Sequence, residues 1–257
     1  MPKRPPRQSH PAARHARFWA GVRATFPLLV GAFPFGLIYG ALAVTSGLSP
    51  LAAAAMSAFV FAGSAQFISV GLVAAGTPVS IIILTTLVVN ARHILYSATL
   101  APYLRKVPSR WLVPLGFWLT DESFVVAAKE FDNNPRAANK DWYLLGSEIA
   151  MYLNWQMVSW IGIVAGQSIS DPQSWGLDFA LVVTFIGMLI PMIKGRPTLA
   201  AVLVAGVAAL LGNGLPNQSG LLLAALLGIG AGVATERAWP KEESENPSLR
   251  SGKHKKG

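Results

Sequence analysis

Between Ala24 and Thr235 the chain is a succession of apolar runs, most of them near the ~20 residues that an α-helix needs to cross the hydrocarbon core of a bilayer. They fall at about 24–45, 50–75, 79–103, 111–128, 142–168, 178–193, 198–214 and 219–235. Charged residues make up 13% of the chain, about half of the ~25% usual in soluble domains. The expected fold is therefore all-α: a polytopic transmembrane helix bundle of about eight spans with interrupted helices. A disordered basic N-terminal tail (1–17) would precede a transmembrane domain (18–235), and a charged C-terminal tail (236–257) would follow it.

Lys and Arg collect on the cytoplasmic side of membrane proteins. With the N-terminus in the cytoplasm and all eight runs crossing, 17 of the 21 Lys/Arg face inward. Three (Arg105, Lys106 and Arg110) face outward, and Arg92 lies within a run. This asymmetry predicts an even number of crossings and both termini in the cytoplasm. The run that begins at Ala24 is longer than the 7–15 apolar residues of a secretory signal, so it is expected to stay as an anchor helix.

Several chemistries are excluded or disfavoured. The chain has no cysteine, which rules out disulfides and thiolate ligands. Of its four histidines only His93 lies in a run, so no His-rich metal centre is expected. No phosphate-cradling loop is present, and no cofactor is expected. The basic residues sit in loops and tails around apolar runs, which is a topology signal and not a nucleic-acid footprint.

Two runs look interrupted. Gly63-Ser64-Ala65-Gln66 cuts the second, and the first carries Gly31, Pro34, Gly36 and Gly40. Broken helices expose backbone groups to substrate or ions at the membrane midplane; small residues also let helices pack closely. Gly36 and Gly40 suit packing, whereas the Gln66 amide needs a partner in an apolar layer.

Ionisable side chains within a span cost about 2.5–3.5 kcal/mol on insertion scales, and so they mark sites or tight helix contacts. The third run holds Asn90-Ala91-Arg92-His93. On a helix Thr86, Asn90, His93 and Ser97 share one face, and Thr85, Arg92, Tyr96 and Thr99 the adjacent one. Arg92 has the fork to hold a carboxylate, and His93 can carry a proton near neutral pH. A structural ion pair for Arg92 and a plain helix contact for His93 account for the same residues. In the fourth run Asp121 and Glu122 point about 100° apart. They suit an ammonium group or a proton, or an interface if the run ends near Leu119. Glu148 in the fifth run either titrates or reaches the surface, while Asn154 and Gln156 suit hydrogen bonds between helices. Asp178 is placed to cap the sixth helix. The substrate-binding candidates are thus Gly63, Ser64, Gln66, Asn90, Arg92 and Asp121. The proton-coupling candidates are His93, Asp121, Glu122 and Glu148.

Five segments come together in order: Phe35-Gly36-Leu37-Ile38-Tyr39-Gly40, Phe61-Ala62-Gly63-Ser64-Ala65-Gln66-Phe67, Asn90-Ala91-Arg92-His93, Thr120-Asp121-Glu122-Ser123-Phe124, and Gly176-Leu177-Asp178-Phe179-Ala180. Over roughly residues 18–235 this order resembles the AzlC-like family, the large subunits of two-component branched-chain amino acid exporters. The resemblance implies secondary active export of branched-chain or other hydrophobic amino acids across a bacterial inner membrane. It also implies a short, separately encoded AzlD-like membrane subunit as partner. Proton coupling is the expected drive. Two other classes compete with this expectation. One is a passive channel or scaffold subunit, and the other an intramembrane enzyme using His93 with Asp121 or Glu122.

Overall fold

The computed structural model describes residues 11–169, 195–215 and 219–239, together with positions 183, 186, 189, 190 and 193. The described elements are all helices, in two compact units, Met1–Phe185 and Ile186–Gly257.

Helix α1 (Pro11–Thr45) is unbroken over 35 residues and passes through both Pro27 and Pro34. It takes in residues 11–17, which the sequence assigns to the tail, and it lacks the interruption expected in the first run. A proline inside a helix removes one N–H from the ladder and tends to kink it. Here the last helix of the unit, α8 (Lys140–Gln167), holds α1 along its length. The two run parallel: Gly146 abuts the Phe18 carbonyl, Gly36 abuts Val158, and Gly166 abuts Ala41. A Cβ on Gly21, Gly40, Gly146 or Gly162 would collide with backbone of the opposite helix. Gly36 and Gly40 therefore serve close packing, as their spacing suggests.

The second apolar run does not cross. Ser49 caps α2 (Pro50–Phe59) by accepting from the Ala52 N–H. The helix ends at Val60, and Phe61 turns the chain with φ 37°. From there α3 (Gly63–Ala74) heads back. Tyr39 records the reversal. Its hydroxyl donates to the Ala53 carbonyl of α2 at 2.8 Å, and its ring meets Phe67 of α3 edge-on at 6.1 Å. In a straight helix Ala53 and Phe67 would stand about 21 Å apart. The tip of this hairpin rests on the middle of α8: Tyr152 donates to the Ala58 carbonyl, Gln156 to that of Ser57, and Phe61 packs on Tyr152 at 4.8 Å.

The third run does cross. α4 (Val79–Asn90) and α5 (Arg92–Leu104) form one 26-residue apolar stretch with a single irregular turn at Ala91. By length and hydropathy this stretch and α1 qualify as membrane spans among the described residues.

The fourth run folds back from the other end. α6 (Ser109–Phe117) and α7 (Asp121–Asn133) place Trp111 against Trp142 at 5.9 Å and Phe131 against Tyr143 at 6.4 Å, both on the first turn of α8. Between them in sequence, Trp118 reaches Tyr152 halfway along α8, 6.0 Å away. Residues 50–75 and 111–128, each counted from sequence as a crossing, are thus hairpins entering from opposite ends, and their tips share Tyr152. A run of this length is apolar whether it makes one whole helix or two half-helices. Hydropathy alone therefore does not separate the two. Leu100, Leu115, Leu119, Phe131 and Leu144 form the buried core beneath the second hairpin.

In the other unit, α9 (Arg196–Leu211) and α10 (Ser219–Ala238) form an antiparallel pair, with Gly212 on Gly220 and Gly228 on Ala205. Most of the run 178–193, and Asp178 with it, lies outside the described residues.

Candidate functional site

Three half-length helices begin at one place: α3 at Gly63, α5 at Arg92 and α7 at Asp121. Arg92 joins them. One guanidinium nitrogen (Nη2) donates to the Ser64 hydroxyl at 2.7 Å, and Nη1 pairs with Oδ2 of Asp121 at 3.0 Å. The Tyr96 hydroxyl donates to Oδ1 of the same carboxylate at 2.5 Å. Tyr96 is held in turn by stacking on Phe124, with ring centroids 4.4 Å apart.

Local sequence explains why α7 starts where it does. Thr120 and Ser123 form a capping box: the Thr120 N–H donates to the Ser123 hydroxyl at 2.9 Å, and the Ser123 N–H donates to the Thr120 hydroxyl at 3.3 Å. The box satisfies N–H groups that a helix start leaves without partners. It also fixes Asp121 in the first turn, where the helix dipole favours an anion.

The Arg92 and Asp121 side chains are 22% and 40% exposed, so the pair is open on one side. Nε of Arg92 is buried and makes no hydrogen bond, which leaves one more donor for an incoming group. A fork of N–H donors at the start of three helices, next to a carboxylate, is a site suited to a small zwitterion.

The other candidates are placed less centrally. Gly63 begins α3 beneath the Trp155 indole, whose ring would lie 3.1 Å from a Cβ at that position. Gln66 is fully buried on the α1 side, beside the Tyr39 hydroxyl, with neither amide atom in a hydrogen bond of normal geometry. The Asn90 carbonyl lies 3.0 Å from Nδ1 of His93, and the His93 ring meets Tyr96 edge-on. Glu122 is half-buried next to Asp121 in the first turn of α7. Glu148 is fully buried, and neither carboxyl oxygen has a hydrogen-bond partner among the described residues. No group of His, Asp and Glu able to hold a metal ion occurs among the described residues.

Arg92, Ser64 and Asp121 therefore meet, while Gln66 and Glu148 make no bond to them. Sequence reasoning places Tyr96 on the Arg92 face without giving it a role. Its i+4 spacing from Arg92 was the available signal. Tyr152, on which both hairpin tips rest, carries no such signal.

The AzlC protein family model matches residues 27–169. An uncharacterized membrane protein of Archaeoglobus fulgidus is 32% identical over 223 residues, covering 85% of this chain and 95% of that protein. Inner membrane protein YgaZ of Escherichia coli K12 is 28% identical over 88% of this chain and 91% of its own length. The branched-chain amino acid transport protein AzlC of Bacillus subtilis is 30% identical over 69% of this chain and 70% of its own length. No solved structure matches. With more than half of its length matched by the family model, and with membrane proteins as relatives, this helical membrane protein belongs to the AzlC family.

Proposed function

We propose that this protein exports branched-chain and similar hydrophobic amino acids across a bacterial inner membrane, driven by protons. It acts as the large subunit of a two-component permease with a short AzlD-like membrane subunit. Substrate, direction and partner follow from the family and its Bacillus relative. The observation that carries the mechanism is the Arg92–Asp121 pair where the two hairpin tips meet. Arg92 receives the substrate carboxylate, with Ser64 beside it. Asp121 is released to the ammonium, and Asp121, Glu122, His93 and Glu148 are the groups available to a proton.

The hairpins also support a topology. α1 and α8 cross outward and α4–α5 crosses inward, so nine of the ten Lys/Arg among residues 11–169 gather toward one end, the cytoplasmic one. Arg105, Lys106 and Arg110, which the eight-span count leaves outside, join that end, and the loops 46–49 and 75–78 at the other carry no Lys or Arg. Arg92 is the tenth, held at mid-depth. Two hairpins entering from opposite faces and meeting midway give each side its own gate, the arrangement alternating access requires.

The test is export of labelled valine, leucine and methionine from loaded cells, with and without the partner subunit and a proton gradient. Arg92→Gln and Asp121→Asn should abolish it while both proteins still reach the membrane. Full export in both variants would refute the assignment. Flux that follows the amino acid gradient and ignores pH would favour a channel.

A further inference from the structure

A cavity of about 340 Å³ lies between α5 and α6. Its inner end is lined by Ser97 and Leu119, the first adjacent in sequence to Tyr96 and the second two residues before Asp121. Its outer end reaches Arg105 and Ser109, on the loop that joins the two helices. The walls between are leucines of α5, α6 and α8. A larger cavity on α9–α10 is lined by apolar side chains and Gly212, so it offers no charged partner to a carboxylate or an ammonium.

Gly116 lines the α5–α6 cavity from the last turn of α6. A glycine inside a helix costs about 1 kcal/mol relative to alanine, and the glycines of α1 and α8 offset that cost by close helix contact. Gly116 has no such contact: a Cβ built there meets nothing within 4 Å. What its missing side chain preserves is open space.

We propose that this cavity receives the apolar side chain of the amino acid held at Arg92 and Asp121, and that Gly116 sets the largest side chain it admits. The proposal rests on the transport reading above. A branched aliphatic group enters an apolar chamber whose inner end opens beside the ion pair. The carboxylate and ammonium stay at the pair, and the cytoplasmic end of the cavity is the way in.

The experiment uses the full-length protein with its partner subunit and measures export of valine, leucine and methionine separately. Gly116→Leu fills the cavity from α6, and Ala101→Leu fills it from the opposite wall on α5. In both variants leucine and methionine export should fall about tenfold relative to valine, the scale on which one methylene is discriminated in an apolar pocket. Equal loss of all three substrates, or no change in their ratio, overturns the proposal. Arg92→Gln separates the two readings. If it loses all three substrates while neither leucine variant shifts the ratio, the pocket alone fails. If it stays fully active while the leucine variants do shift the ratio, the ion-pair role fails and the pocket stands.

Discussion

Tyr96 and Arg92, one helical turn apart on α5, hold the two oxygens of a single carboxylate: Tyr96 donates to Oδ1 of Asp121 at 2.5 Å, and Arg92 lies 3.0 Å from Oδ2. Asp121 thereby occupies the place on Arg92 that a substrate carboxylate would take. An amino acid that wins Arg92 frees Asp121, still tethered by Tyr96, to face the ammonium. The same exchange parts the tip of one hairpin from the other, because Ser64 and Asp121 belong to different hairpins and meet through Arg92.

Tyr96→Phe tests the tether. The substitution keeps the ring on Phe124 and removes only the donor. A hydrogen bond to a charged group contributes about 1.5–3 kcal/mol when buried, less at this partly open site. Export per molecule of membrane-inserted protein should fall about tenfold, with the amount of inserted protein unchanged. Unaltered specific export would show that Asp121 needs no such support.

Glu148 provides the second test. Burying a carboxylate with no donor beside it costs several kcal/mol, and Glu148 has no hydrogen-bond partner for either oxygen. Gln keeps its shape without an ionisable proton. Glu148→Gln should leave thermal stability in detergent nearly unchanged and make export insensitive to an imposed proton gradient. A variant that still responds to the gradient as the natural protein does would remove Glu148 from the proton path.

How much of this was legible in the sequence differs from residue to residue. Arg92 and Asp121 stand out because a charge in an apolar run is expensive, and Gly63-Ser64 because glycine and serine break an apolar pattern. Their meeting is not legible, since nothing local encodes which helix starts converge. The first run misleads for the opposite reason. Pro27 and Pro34 argue for a break, but α1 is held straight by tertiary contact with α8 along its glycine face. The fold-back of residues 111–128 had one trace: the three basic residues at 105, 106 and 110 that an eight-crossing count strands on the outer side.

The α1–α8 contact yields a paired prediction from two glycines on one helix. A Cβ at Gly40 would strike the Ser159 carbonyl and lie 2.6 Å from the Ile163 nitrogen, whereas one at Gly31 meets nothing within 4 Å. Gly40→Ala must push the helices apart, at a cost of about 1–3 kcal/mol, and should lower the melting temperature of the purified protein. Gly31→Ala should hold or raise it, since alanine favours a helix by about 1 kcal/mol over glycine. Equal melting temperatures for the two variants would contradict the close approach.

The hairpins can be tested directly, because the chain contains no cysteine and single cysteines can be placed at will. Ser109→Cys lies before the second hairpin, Ala138→Cys after it, and Ala75→Cys at the open end of the first; all three positions are exposed. If residues 111–128 fold back, positions 109 and 138 are on the same side, and a membrane-impermeant maleimide added to intact cells labels neither. If the segment crosses, position 109 is labelled from outside while position 138 is not. Position 75 is the control for the opposite end, labelled from outside when α2–α3 returns to the face it entered from. The three basic residues next to position 109 give the expected answer its physical reason, since moving Arg105, Lys106 and Arg110 to the outer face would oppose the bias that orients the other basic loops.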